Sequence, residues 1–277
     1  MNLLSFQSKV VLGHVGHSAA TLLLQRLGHE VWAVDTVCFS NHPGYGRYGG
    51  RVTPADEVAA LAAGLEAIGA YASCAAVASG YLGSAANGAA MLEAVARVKR
   101  ANPKAFYVCD PVMGDRNHGL YVSVELPRFF KEVALPKADM ATPNAFELEE
   151  LTGRPVRSLE EGLRAADELR ALGPATVVVT GIEIERSMAT VAVSPEGAWA
   201  VKTPRLRYGA FGTGDAFAAL LLGRILNGVP LPDALALAVG GMYALIEASQ
   251  GEGELALISA QDQAVQPSRS WRARRLR

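Results

Sequence analysis

The residues with the clearest chemistry are Gly212-Thr213-Gly214-Asp215, which run straight into the apolar helical segment Ala216-Phe217-Ala218-Ala219-Leu220-Leu221-Leu222. Glycines let the backbone turn tightly enough for several N–H groups to point at one spot, and a helix N-terminus there adds about half a positive charge. Such a turn suits an anion. A carboxylate in its first turn competes with an incoming phosphate unless its task is to take a proton from a substrate hydroxyl beside it, as the base of a phosphoryl transfer does. The alternative on these residues alone is that Asp215 caps the helix. The G-x-G spacing continues with Phe217 where a dinucleotide fingerprint has Gly or Ala, and no G-x-x-x-x-G-K-[ST] occurs. Neither a Rossmann dinucleotide site nor a P-loop is expected.

A second cluster is Cys109-Asp110-Pro111-Val112-Met113-Gly114-Asp115, with Asp110 at the carboxyl end of a buried strand. A third is Thr142-Pro143-Asn144-Ala145-Phe146-Glu147, again a strand end leading into a helix. Open α/β sheets bind ligands at that edge. Magnesium prefers carboxylates, waters and substrate phosphates, a set that Asp110, Asp115 and Glu147 could supply. Taken singly, each also reads as a turn or capping residue.

These clusters need a scaffold, and the chain has one. Apolar β-rich runs at 3–6, 30–37, 75–79, 105–109, 140–141, 175–180, 188–193 and 198–202 alternate with helix-period segments at 18–27, 54–68, 85–100, 158–172, 215–226 and 232–249. That alternation predicts an α/β fold with a mainly parallel sheet covered by helices on both faces. One domain over 1–260 is expected, followed by a basic tail at 261–277. The arginine-rich last residues, 268–277, read as a frayed, solvated end. Residues 40–50 lack helical period and carry glycines, the composition of a lid, an edge flap or an ordinary surface loop.

With 277 residues, half of them hydrophobic, and a net charge of −1, the chain reads as globular, with no basic excess to recruit nucleic acid. The longest uncharged stretch, 67–92, is interrupted by Gly, Ser and Asn, so it reads as a buried strand between helices rather than a membrane span. No secretion signal is visible at the start, which makes the cytoplasm the expected location. Cys38, Cys74 and Cys109 are too widely spaced for a disulfide framework or zinc cluster and read as reduced, half-buried packing residues.

With those residues in view, the sequence closely resembles the pyridoxal kinases of the ribokinase-like superfamily over about residues 4–250. The resemblance rests on Gln7-Ser8-Lys9-Val10-Val11 with Gly13-His14-Val15-Gly16, on Phe39-Ser40-Asn41-His42, and on Ser79-Gly80-Tyr81-Leu82-Gly83-Ser84. It continues through Asp110-Pro111-Val112-Met113-Gly114-Asp115, Thr142-Pro143-Asn144 with Glu147, and Gly212-Thr213-Gly214-Asp215. It implies a three-layer α/β/α domain with a small flap, a homodimer, and transfer of the ATP γ-phosphoryl group to the 5′-hydroxyl of pyridoxal, a vitamin B6 salvage reaction. It further implies Mg2+ and a monovalent cation such as K+. Asp215 would be the base, and Gly212, Thr213 and Gly214 the anion hole.

By the same resemblance, Ser8 would meet the pyridine nitrogen, with Val15, Val37, His42, Pro43, Gly44 and Tyr81 around the ring. Asp110, Thr142, Asn144, Glu147, Thr180, Thr203, Pro204, Arg205, Leu206, Gly212 and Gly214 would line the nucleotide. Asp110, Asp115 and Glu147 would act through magnesium and its waters. Three departures stand out. Pro43 replaces a threonine common in relatives, removing a hydroxyl and an N–H; Lys9 replaces a histidine; and Leu120 stands where some bacterial members have a cysteine able to capture the aldehyde. A hydroxymethylpyrimidine kinase is the same-class alternative, disfavoured by Leu12-Gly13-His14-Val15-Gly16-His17 in place of that branch's glycine-rich opening. A non-catalytic pyridoxal binder is the other, against which the intact Asp215 and glycine turn argue.

Overall fold

The computed structural model describes residues 1–207, 209–251 and 253–277. In chain order its elements are β1 (Asn2–Leu12), α1 (His17–Arg26), β2 (Glu30–Asn41), β3 (Gly50–Val52), α2 (Ala55–Ala67), β4 (Cys74–Ser79), α3 (Ala85–Ala101), β5 (Phe106–Cys109), β6 (Gly114–Asp115) and β7 (Gly119–Leu120). There follow α4 (Glu125–Phe129), β8 (Met140–Ala141), α5 (Ala145–Thr152), α6 (Leu159–Arg170), β9 (Thr176–Ile184), β10 (Ser187–Ser194), β11 (Gly197–Pro204), α7 (Thr213–Leu226), α8 (Leu231–Ser249), α9 (Gln261–Val265) and β12 (Arg274–Arg275).

Ten strands form one sheet in the order β12-β11-β10-β9-β8-β5-β4-β1-β2-β3. The pairs from β2 through β1, β4, β5 and β8 to β9 are parallel, while β3 and β10 to β12 add antiparallel margins. The two-residue alternation of strand side chains divides the core. Val177 and Val179 join the layer of α2, α3, α5 and α6, whereas Val178 between them joins the layer of α1, α7 and α8. Both faces are therefore apolar, which is why the valine run is continuous. α8 is long and apolar enough to cross a membrane by length and composition, with half of that window buried inside the fold.

All eight expected strand segments form, and β1 and β2 run on together to Leu12 and Asn41, past the ends the sequence suggests. The extension carries Val11 and Leu12, 83% and 61% exposed, on a ribbon that projects beyond the core. Residues 40–50 are the tip of this ribbon. A 3-10 turn at Pro43–Tyr45 leads back into β3, which pairs antiparallel with Val37, Cys38 and Phe39. α4 and the turns after it were not legible, because Pro127 and Pro136 break their apolar pattern.

The tail corrects the expectation of a frayed end. Arg274 and Arg275 pair with Ala200 and Trp199 of β11, the Arg275 guanidinium lies 5.9 Å over the Trp199 ring, and Arg277 donates to Asp167. Flat guanidinium groups stack on aromatic faces while keeping their donors engaged, so an arginine-rich segment can dock rather than fray. The cysteines also differ from expectation: Cys74 and Cys109 are fully buried, and Cys38 is exposed on the ribbon.

Candidate active site

The carboxyl ends of β1, β2, β4, β5, β8 and β9 meet the start of α7. Gly212 is the N-cap of α7 at φ 81° and ψ 8°, with no capping side chain. The first-turn N–H groups are thus left uncovered by a side chain of the cap. Only glycine fits this position: a Cβ there would lie 1.9 Å from the His14 carbonyl oxygen.

Asp215 does not cap its helix. Its Oδ2 accepts the Gly16 N–H at 2.8 Å across 199 residues of sequence, which ties α7 to the loop between β1 and α1. Burial pushes its pKa up, opposed by the Gly16 N–H and by the charge His17 can carry. Gly16 is at φ 53°, and a Cβ on it would lie 2.1 Å from the Ser8 carbonyl oxygen and 2.3 Å from Ser8 Oγ. Ser8, Gly16 and Asp215 therefore form one continuous wall.

His17 follows directly. Its Nδ1 is 2.6 Å from Asp35 Oδ1 and its Nε2 is 3.0 Å from Ser5 Oγ. The trio has the composition of a nucleophilic triad, but Ser5 is fully buried and out of reach of any substrate. It pins the start of α1 to β1 and β2, and with it the Gly16 N–H.

The expected ring walls Val15 and Val37 gather with Val10 and Phe39 into a small apolar cluster, against which Tyr81 and Phe211 pack. Tyr81 is fixed through its carbonyl, which accepts the Thr36 hydroxyl at 2.5 Å. His42 stacks on Phe211 with ring centroids 4.2 Å apart, and burial lowers its pKa. Gly44 passes so close to Phe211 that a Cβ would be 2.5 Å from Cζ. Pro43 is exposed and opens the 3-10 turn after the N-cap His42. An N–H at that position has no partner within such a turn, so proline suits it.

Asp110 follows β5, and its Oδ1 accepts the Thr142 hydroxyl at 2.9 Å. Burial and the neighbouring Asp215 charge push its pKa up to about 8. Glu147 forms a capping box with Asn144: Oε2 accepts the Asn144 N–H at 2.8 Å, Oε1 the Met113 N–H at 2.9 Å, and Asn144 Oδ1 the Glu147 N–H at 2.9 Å. Burial and then Asp110 raise its pKa. The Asp115 carboxylate is taken up by its own turn, where it accepts the Asn117 and His118 N–H groups at 2.8 and 3.0 Å. Among the described residues no group of three or more His, Cys, Asp and Glu is placed to hold a metal directly. The expected Asp110, Asp115 and Glu147 set is therefore not assembled as a chelate.

Thr180 bridges to Asn144, and its N–H donates to the Pro143 carbonyl at 3.0 Å. Thr203 and Pro204 end β11 at the same sheet edge, since β11 runs parallel to β9 across the intervening β10. Arg205 is paired with Glu183 at 2.9 Å, and Leu206 follows it.

In the metal-free protein these raised carboxyls set a pH dependence. The folded chain retains protons that the unfolded chain releases near 3.8, the ordinary aspartate value. The associated stability is full below that pH, declines as pH rises, and is lost as pH passes about 8. The Tm measured in EDTA should fall by about 5 °C between pH 6 and 9, and Asp110→Asn should flatten that slope. An equal slope in the variant would assign the effect elsewhere.

Comparison with known proteins decides the family. A family model described as phosphomethylpyrimidine kinase matches residues 49–256. The pyridoxal kinase PdxY of Rubrobacter xylanophilus is 47% identical over 283 residues, covering 100% of this chain and 98% of that protein. This chain belongs to the pyridoxal kinase family. A second family member, the pyridoxal kinase PdxY of Corynebacterium diphtheriae, is 42% identical and 96% of each chain is covered. The structure of the Leishmania donovani pyridoxal kinase in complex with ADP and pyridoxine superposes with a TM-score of 0.94 at 30% identity, covering 100% of this chain and 99% of that one. The family's ribokinase-like α/β fold is thus the fold of this chain. Sequence reasoning quoted Gly16 and His17 within motifs without giving either a role, and it missed Phe211 and Glu254; the local signal for Phe211 was that it immediately precedes the glycine turn.

Proposed function

We propose that this chain is an ATP-dependent pyridoxal kinase that transfers the γ-phosphoryl group to the pyridoxal 5′-hydroxyl, forming pyridoxal 5′-phosphate. The observation that carries this reading is the Asp215 carboxylate held by the Gly16 N–H at the N-terminus of α7, beside the apolar walls of Val15, Val37 and Tyr81. An aspartate is too weak a base to ionise an alcohol outright. Asp215 therefore orients the hydroxyl and accepts its proton late, as the oxygen bonds to phosphorus. The N–H groups of Gly212, Thr213 and Gly214 meet the charge on the transferring phosphoryl group. Ser8 and His42 orient the ring, while Thr142, Asn144, Thr180 and the segment Thr203, Pro204, Arg205 and Leu206 flank the nucleotide.

The buried Asp110 and Glu147 and the half-buried Asp215 give an oxygen-only edge whose carboxyls burial biases towards holding protons, and a magnesium ion that takes the place of those protons fits that chemistry. Asp110 and Glu147 would hold it through waters, since both Glu147 oxygens already accept backbone N–H groups. When bound, the ion offsets phosphate charge. A homodimer is supported by exposed Val11, Leu12, Tyr48 and Val52 along the ribbon edge, a patch that association would cover. The free thiols Cys74 and Cys109 suit a reducing cytoplasm.

The test is formation of pyridoxal 5′-phosphate from pyridoxal, ATP and Mg2+, followed by absorbance, with and without K+ and with hydroxymethylpyrimidine in parallel. Pyridoxal turnover is expected to dominate. Turnover of hydroxymethylpyrimidine alone would transfer the assignment to the activity after which the matching family model is described, and binding without turnover would leave only a pyridoxal binder.

A further inference from the structure

The ribbon tip does not project freely into solvent. Tyr45 Oη donates to Glu254 Oε1 at 2.8 Å, and the other carboxylate oxygen of Glu254 accepts the His14 N–H, also at 2.8 Å. Glu254 sits in a niche that exists because residue 13 is glycine: at φ +100° a Cβ there would come within 2.6 Å of Oε1. Phe211 is fixed in turn by its N–H, which donates to the Gly253 carbonyl at 3.0 Å, and its ring carries both His42 at 4.2 Å and Tyr45 at 6.0 Å. One carboxylate thus joins the ribbon tip, the loop before α1 and the segment after α8. One aromatic ring then links that junction to the residue next to the anion turn.

We infer that Tyr45, Glu254 and Phe211 form a latch that seats His42 over the acceptor ring, making them positioning residues that set the affinity for the acceptor. This rests on the pyridoxal kinase reading. Among the described residues the latch packs on the ribbon and on the cluster that holds the acceptor walls Val15 and Val37, its hydrogen bonds and ring contacts reach neither Thr142, Thr180 nor Thr203, and its link towards the phosphates is the peptide bond from Phe211 to Gly212. Its loss should therefore act on one substrate and spare the other. A hydroxyl-to-carboxylate hydrogen bond is among the stronger kind, and Tyr45→Phe removes it while keeping the ring on Phe211.

The experiment is steady-state kinetics on the full chain with both substrates varied, together with amide hydrogen exchange of residues 42–46. Tyr45→Phe and Phe211→Leu should each raise the KM for pyridoxal about tenfold and leave the KM for ATP within about twofold. Tyr45→Phe should add nothing further in a Glu254→Ala background, and residues 42–46 should exchange faster in each variant. Unchanged pyridoxal KM values, or KM values for both substrates rising together, would overturn the role in acceptor affinity. Unchanged exchange would overturn the latch itself. Should the wild-type chain not phosphorylate pyridoxal, the kinase reading and the acceptor role fall together, while the exchange arm still decides whether the latch holds the ribbon.

Discussion

Asp215→Asn should lower kcat for pyridoxal phosphorylation by about a thousandfold while changing the KM for either substrate only a few-fold. General bases typically contribute between about a hundredfold and ten-thousandfold, so in the proposed role Asp215 accounts for a loss of that size and not for the contribution of positioning. Asparagine can still accept the Gly16 N–H, so the tie between α7 and the β1–α1 loop survives and the binding walls stay in place. What disappears is the proton acceptor. Asp215→Ala should be as slow and also less stable, because the Gly16 N–H loses its partner. Thermal melts alongside the kinetics separate the two effects, and an Asn variant retaining more than a tenth of the wild-type kcat would remove Asp215 from the role of base.

Gly212→Ala should abolish most activity, by about a hundredfold or more, and lower Tm by about 5 °C. Two penalties coincide at this residue. Its φ of +81° is strained for any side chain, and the added Cβ would meet the His14 carbonyl oxygen at 1.9 Å. Neither neighbour can yield cheaply, since both are backbone, so the β1–α1 loop must move away and carry Gly16 off Asp215. Gly28→Ala is the matched control: φ is +87°, but nothing lies within 4 Å of the new Cβ. It should lose stability through strain alone and keep its kcat. Equal loss of kcat in the two variants would show that the clash with the β1–α1 loop is not what matters.

The contrast between what was legible and what was not follows from how far apart the interacting residues lie. Val177-Val178-Val179 announced a strand buried on both faces, and Gly212 to Asp215 announced a glycine turn opening a helix, because in each case the cause lies within a few residues. The ends of β1 and β2 were not legible, because pairing continues where burial stops, and exposed Val11 and Leu12 carry no periodic signal. Asp215 on its own motif reads first as a cap; its hydrogen bond to Gly16, 199 residues away, shows a different local use of the carboxylate. Glu147 was foreseen in both of its guises, as cap and as carboxylate, and the structure fixes the first. That Asp115 Oδ1 accepts two N–H groups of its own turn was not legible, because a carboxylate after a glycine turn gives no sign of which backbone groups will close on it. Phe211 and Glu254 belong to loops whose meeting with the ribbon is a property of topology.

The docked tail also bears on how copies of this chain can join. A ten-stranded sheet has two margins, β12 and β3. A molecule with two sticky margins can add neighbours head to tail without end, whereas one with a single sticky margin closes after a pair. At the β12 margin the last strand is only two residues long and both are arginines, so its donors and acceptors end abruptly behind positive charge. Among the described residues the ribbon margin carries exposed Tyr48 and Val52. By pairing with Trp199 and Ala200, Arg274 and Arg275 place two positive charges over that stretch of β11, so the same margins of two copies repel one another there.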